Sequence, residues 1–417
     1  MRYERRRKIL SRFLKYADKQ YGVREILQEV TDKRSCPDIP TKRIVTALFL
    51  MVTARIGSLN GIEDALGGNH APAKQWHNWM GGALPSADRL GEVAALLNLD
   101  DLRAVIIEHH RRRKRKKTLP ALPGDLRVLI FDGHEMWTSY RQCCEGALSR
   151  QLQCKDEVRT QYYQRYVAAY LLGARGRVLL DMEMQQPGEG ESAAAERLYR
   201  RMLTNCPRAF NVVAGDALYL DPHLCRLILD SGKDFIAVLK NENRMLIQDF
   251  RGVLELDDDP PLQFEYNGKQ CHCHDIEGFT TWTQMESPIR IVRSLETCSV
   301  RRQLTKKEEE LSSEWLWATS LSKDKANTHT VVRIGHGRWS IENQGFNELV
   351  HEWHADHVYH LNTNAITAIL LLLFLAYNLF HVWLERGLKP ALRQEHTAKY
   401  FSRQIQAEFY AVLLSPG

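Results

Sequence analysis

Three acids, Asp132, Asp216 and Glu342, have neighbours that suit chemistry as well as they suit structure. Asp132 follows the apolar run Arg127–Phe131 and precedes Gly133; Asp216 follows Phe210–Ala214 and Gly215. An acid at the carboxyl end of an apolar strand stands where open sheets gather their ligands. Each also has a purely structural reading, Asp132-Gly133 as a turn and Asp216 as the cap of the next helix. Glu342 shifts the balance. On a helix starting near Gly337, Phe346, Leu349 and Trp353 lie four, seven and eleven residues after it, on the same face. Arg338, four residues before it, shares that stripe. A carboxylate among large apolar side chains is costly unless a cation meets it. Arg338 can be that cation in a plain salt bridge, or the three acids can share a metal. Three carboxylates at one spot repel one another, and hard oxygen donors with room for water and phosphate suit Mg²⁺, with Mn²⁺ able to substitute. Two such ions roughly 3.5–4 Å apart would activate an attacking oxygen and stabilise the leaving one on a phosphodiester.

The elements that must bring these acids together follow from the hydrophobic periodicity. Residues 1–120 read as helices: Glu4–Gln20, Val23–Thr31, Thr41–Ile56, Ala71–Met80 and the long pattern Ala87–Lys117. Pro120, Pro123 and Gly124 then mark a linker. Strands are expected at Arg127–Phe131, Tyr162–Leu172 and Val178–Met184, then a helix over Glu191–Leu203. A strand at Phe210–Ala214, a helix at Pro222–Leu229 and a strand at Phe235–Leu239 follow. That order predicts an α/β fold, a mixed sheet with flanking helices. Its two parts span 125–240 and 317–390, separated by a β-rich insertion at 241–316, preceded by an all-α region at 1–120 and followed by a helical tail at 391–417.

Charge divides the chain differently. Residues 1–120 hold 24 Lys and Arg against 13 Asp and Glu, and the remainder holds 33 against 38, for a net +6. A basic front and a mildly acidic back suggest that the front meets a polyanion. The run Arg111, Arg112, Arg113, Lys114, Arg115, Lys116 and Lys117 suits phosphate contact, since each cation placed on a phosphate releases counterions; its bland reading is a charged linker. An apolar fraction of 44% excludes wholesale disorder. Nine cysteines and a basic start with no apolar signal core point to the cytoplasm and mostly free thiols. Leu361–Leu384 lacks Asp, Glu, Lys and Arg, yet Asn362, Asn364, Asn378 and His381 favour a buried core helix over a membrane span.

Asp132-Gly133-His134, Gly215-Asp216-Ala217-Leu218-Tyr219 and Gly337-Arg338-Trp339-Ser340-Ile341-Glu342-Asn343 resemble the three blocks of a DDE transposase. The nearest likeness is to the insertion-sequence-four-like branch of bacterial elements, over about residues 125–385. The resemblance implies a ribonuclease-H-like core interrupted by the β insertion, two Mg²⁺ held by Asp132, Asp216 and Glu342, and cut-and-paste transfer of DNA. It also implies a homodimer, because two element ends must be brought together, and a bacterial, nucleoid-associated location. That branch usually carries Tyr, Arg, Glu and Lys around the last acid; Arg338 and Glu342 fit, while Gly335 and Leu349 replace the Tyr and the Lys. Arg338 then reads as a phosphate clamp, with His336 or Lys240 as stand-ins for the missing groups. Rival readings are a metal-dependent nuclease without strand transfer and a catalytically idle DNA-binding regulator.

Weaker signals remain. Cys143, Cys144 and Cys154, and Cys271-His272-Cys273-His274, lack the paired spacing of a structural zinc site. His351, His354 and His357 read as a solvated helix face, and Trp76 and Trp79 as core. Asp181 is a reserve ligand should Asp132 be only a turn.

Overall fold

In the computed structural model, strand β1 spans Val128–Ser139 and runs through the centre of one sheet. Residues 9–411 are described, apart from 67–75, 78, 142–143, 145, 156, 174–175, 241–244, 257–258 and 302–307. The basic start, most of the expected helix Ala71–Met80 and Cys143 therefore lie outside the described residues. β1 pairs antiparallel with β3 (Glu157–Leu172) and parallel with β5 (Val212–Gly215), which pairs parallel with β6 (Asp234–Val238). The far edge of β3 is shared: its first half pairs with β2 (Leu148–Cys154), its second with β4 (Arg177–Met184). β2 and the extension of β1 to Ser139 were not expected, because their mixed polar residues carry little periodic signal.

Crossover helices explain the parallel pairs. Helix α7 (Glu191–Asn205) joins β4 to β5, and α8 (Pro222–Asp230) joins β5 to β6. To fix the numbering, α1 to α6 are Ile9–Tyr21, Val23–Gln28, Thr41–Thr53, Leu59–Leu66, Ala87–Ala94 and Leu99–Arg115. Trp76, His77, Trp79 and Met80, the described residues next to the masked stretch, are helical as well. The pattern Ala87–Lys117 splits in two because the Asn98 side chain accepts from the Asp100 amide and starts α6 afresh.

After β6 the chain forms α9 (Met245–Glu255), which the sequence reading missed, then β7 (Leu262–Tyr266), β8 (Lys269–Phe279), β9 (Ile289–Arg301) and β10 (Glu308–Thr319). These strands are not a detached layer. β10 pairs antiparallel with β6, Trp317 opposite Val238 and Thr319 opposite Ile236, so they prolong the central sheet.

Side-chain alternation along β1 feeds two cores. Leu129 and Phe131 pack with Ala194, Leu198 and Tyr199 of α7 and Leu224 and Ile228 of α8. Val128 and Ile130 face the other layer, which holds α12 (Thr363–Arg386) and apolar residues of α1, α3 and α6. α12 is long and apolar enough to cross a membrane, but Ala365 to Trp383 are all buried within the protein. Its Asn378 is fully buried and fully used: Oδ1 accepts from the Leu179 amide at 2.9 Å, and Nδ2 donates to the Leu179 carbonyl at 2.7 Å. Such a pairing fixes the helix on β4 without an unsatisfied polar group.

Candidate active site

Asp132 follows Val128 and Ile130 on the α12 side of β1. It is not at the end of its strand, as expected, since β1 continues to Ser139 opposite Tyr162. The strand that ends is its parallel neighbour. Ile130 stands opposite Ala214, and two residues further along each chain bring Asp132 level with Asp216, just past the end of β5. Asp216 forms a tight turn, its Oδ1 accepting from the Leu218 amide at 2.8 Å and its carbonyl from the Tyr219 amide at 3.2 Å. It does not cap α8: Asp221 does, accepting from the amides of His223 and Leu224.

Glu342 arrives from the opposite side. Helix α10 (Thr328–Gly337) starts on its cap Asn327 and leads into a wider turn, Ile341–Phe346, of π-helical pitch, then into α11 (Asn347–Trp353). The wide turn corrects the expected stripe. A 3.6-residue period no longer holds across it, so Phe346, Leu349 and Trp353 are buried while the Glu342 carboxylate is 46% exposed, at the rim of a cleft. Within the turn, the Gln344 carbonyl accepts from the Tyr377 hydroxyl of α12.

Arg338 joins two of the acids. Its side chain is buried, and Nη1 donates to Glu342 Oε1 at 2.7 Å and to Asp132 Oδ2 at 3.3 Å. Its Nε is buried and has no hydrogen-bond partner among the described residues. The cleft above, about 470 Å³, is lined by Asp132, Gly133, His134, Glu342, Asn343, Phe346, Asn347 and Val350. His134 stacks on Phe346 at 4.6 Å, and burial pushes its imidazole down to about 4, so it is neutral near pH 7.

Asp132 carries the electrostatic signature of the site. Burial pushes its carboxyl up to about 7; Arg338 opposes that rise, while Glu342, Asp216 and Glu191 add to it. The acids from three separate segments therefore share one field. Their hard oxygens fit a divalent cation, which would relieve the repulsion Asp132 now relieves by holding a proton near neutrality. Among the described residues no three His, Cys, Asp or Glu stand in ready-made ligand geometry, and Glu342 turns to Arg338.

The departures at Gly335 and Leu349 have packing causes. A Cβ on Gly335 would lie 2.3 Å from the Trp317 indole, and Leu349 is fully buried. His336 is no stand-in, because its Nε2 meets the buried Glu296 carboxylate at 2.5 Å and its ring stacks on Tyr266. Lys240 is exposed just beyond β6.

The basic run forms the last turn of α6 and the residues after it, and its members differ. Arg113 is fully enclosed, with Nε donating to Thr118 Oγ1, which removes it as a phosphate contact. Arg112 is tied to Glu25, Glu108 and the Tyr21 carbonyl. Arg111, Lys114, Arg115, Lys116 and Lys117 are exposed; Arg111 and Lys114 also reach the carbonyls of Asn205 and Arg208.

Asp181 is structural. On β4 it takes Arg103 of α6 at 3.1 Å and Arg201 of α7 at 2.7 Å, a buried clasp between helical region and sheet. His354 ends α11 in the left-handed conformation, so His351 and His357 do not continue one helical face through it. Cys271 and Cys273 are buried on β8, and burial pushes the Cys273 thiol up to about 11. Trp76 is buried against Phe409, as core.

Sequence reasoning missed Glu191 and Tyr219. The Tyr219 hydroxyl donates to Glu191 Oε1 at 2.7 Å beside Gly133, although only Tyr219, three residues past Asp216, carried a visible signal. A family model described as a transposase DDE domain matches residues 123–379, a segment that contains all three acids and Arg338. No curated protein matches the chain.

Proposed function

The chain belongs to the DDE transposase family, and from that premise we propose that it moves a bacterial insertion sequence of the insertion-sequence-four-like branch. In this reading it binds the ends of its element, cleaves them, and joins the freed 3′-hydroxyls to target DNA. The observation that supports it best is the shared field of three acids: Asp132 of β1 and Glu342 of the turn after α10 line one cleft, and the charge of Asp216, just past the end of β5, is felt at Asp132.

Members of the family use divalent metal ions, generally Mg²⁺, and here Asp132, Asp216 and Glu342 would hold two of them, Mn²⁺ substituting. When bound, such ions lower the pKa of an attacking water or hydroxyl and neutralise charge on the leaving oxygen. The chain's own groups do the rest. Asp132 must give up its proton to act as a ligand, which favours activity above pH 7. Arg338 must release Glu342 and is then free to offer its planar fork to two phosphate oxygens. Phe346 and the neutral His134 wall the cleft on the α12 side.

The exposed cations Arg111, Lys114, Arg115, Lys116 and Lys117 supply phosphate contacts along the DNA. A homodimer brings the two ends together, and the protein works on the nucleoid in the cytoplasm. The test is a reaction of the purified chain with DNA carrying the inverted repeats that flank its gene. Donor ends joined to a second DNA support the reading, and hydrolysis with no joined product leaves only a nuclease.

A further inference from the structure

Glu191 begins α7, on the side of β1 opposite the α12 layer, yet its charge is felt at Asp132. Its carboxylate is nearly enclosed, 11% exposed, and both oxygens have partners. Oε1 accepts from the Tyr219 hydroxyl at 2.7 Å, and Oε2 meets Arg165 of β3 at 3.4 Å. Arg165 in turn reaches Glu135 of β1 at 3.3 Å. The carboxylate occupies the space where a side chain at position 133 would start: a Cβ on Gly133 would lie 2.4 Å from its Cδ. Tyr219 fills the corresponding space over β5, where a Cβ on Gly215 would lie 2.6 Å from the Tyr219 Cβ. Each glycine directly adjoins a proposed cation ligand, Gly133 following Asp132 and Gly215 preceding Asp216.

We propose that Glu191 and Tyr219 are positioning residues whose hydrogen bond, seated on Gly133 and Gly215, fixes the spacing of Asp132 and Asp216 for a divalent cation. This rests on the reading of those two acids as ligands. The Asp216 turn is short, its Oδ1 accepting from the Leu218 amide and its carbonyl from the Tyr219 amide, and the Tyr219 hydroxyl ties this turn to the start of α7 across Gly133 of β1. Groups that orient a ligand in this way change metal affinity by about 10- to 100-fold when removed. Charge is not the requirement, since Gln at 191 keeps a carbonyl oxygen that can accept from Tyr219.

The experiment is a titration of the full-length chain with Mn²⁺ alone, following free Mn²⁺ by its electron paramagnetic resonance signal, beside thermal melts in EDTA. Tyr219→Phe and Glu191→Ala should weaken Mn²⁺ binding about tenfold or more while melting within a few degrees of the wild type. Glu191→Gln should bind within about threefold of the wild type. Affinity unchanged in Tyr219→Phe, or lost as fully in Glu191→Gln as in Glu191→Ala, would overturn the positioning role. A wild-type chain that takes up no Mn²⁺, or Asp132→Asn and Asp216→Asn chains that bind it normally, would instead overturn the ligand reading beneath it.

Discussion

Asp132 and Arg338 make opposite demands on the same few ångströms, and each yields a measurable consequence. A folded-state carboxyl at about 7 against an ordinary value near 4 means that the folded chain holds a proton the unfolded chain has lost. The stability tied to Asp132 is therefore fully present below the unfolded pKa and is lost as pH rises through about 7. In EDTA, Asp132→Asn should gain on the wild type as pH rises from 4 to 8, by at most about 4 kcal/mol, and then level off. Melting curves of both chains across that range check it; a difference independent of pH would contradict the shift. Arg338 is the charge that offsets two acids when no metal is bound. Arg338→Ala should lose roughly 1–3 kcal/mol in EDTA, and Mg²⁺ should restore part of the loss, because the metal replaces the missing cation. Arg338→Lys should keep more of the stability than of the strand transfer, since a point charge cannot make a bidentate phosphate contact.

At the scale of elements, α10 and the turn after it decide where Glu342 stands, and α10 is held by the contact of Gly335 with Trp317 of β10. Gly335→Ala should destabilise by about 1–3 kcal/mol through that overlap, and Trp317→Leu in the same chain should recover much of it. Thermal melts of the single and double variants decide, and additive losses would show that the contact is not the cause. The same helix marks how far the sequence could be read. Apolar runs located β1, β5, β6 and the buried α12, because continuous burial leaves a continuous apolar signal, and apolar residues at helical spacing located the crossover helices α7 and α8. Asp216 was legible as a strand-end residue on that basis, while Asp132, expected at a strand end, lies within β1, whose mixed polar continuation to Ser139 carries no continuous apolar signal. Other features were not legible. The wide turn Ile341–Phe346 breaks a period that residue spacing assumes, so Glu342 was expected in the core and lies at the rim. β2 alternates with polar residues on both faces, and Glu191 was one acid among many at a helix start, where acids are common anyway.

Across the whole molecule, the helical region and the sheet share one hydrophobic core through α12, and Asp181 clasps α6 to α7 from the other side of β4. Cations near Lys117 are thus carried on a helix packed into the same core as the sheet. Neutralising Lys114, Arg115, Lys116 and Lys117 should flatten the salt dependence of DNA binding, by up to about 0.9 in log–log slope per lost phosphate contact, with melting little changed. Arg113→Ala should instead destabilise the fold, because its guanidinium lies wholly inside it. Equilibrium binding at several salt concentrations separates these, and an unchanged slope would make the run a connector only. In the proposed function Asp132, Asp216 and Glu342 act as one metal-dependent centre for cutting and joining DNA. It is tested most directly by following Mg²⁺-dependent end cleavage and strand transfer for Asp132→Asn, Asp216→Asn and Glu342→Gln beside the wild type. Each variant should bind element ends normally and lose both reactions; a chain with all three acids neutralised that still cleaves in Mg²⁺ would contradict the account.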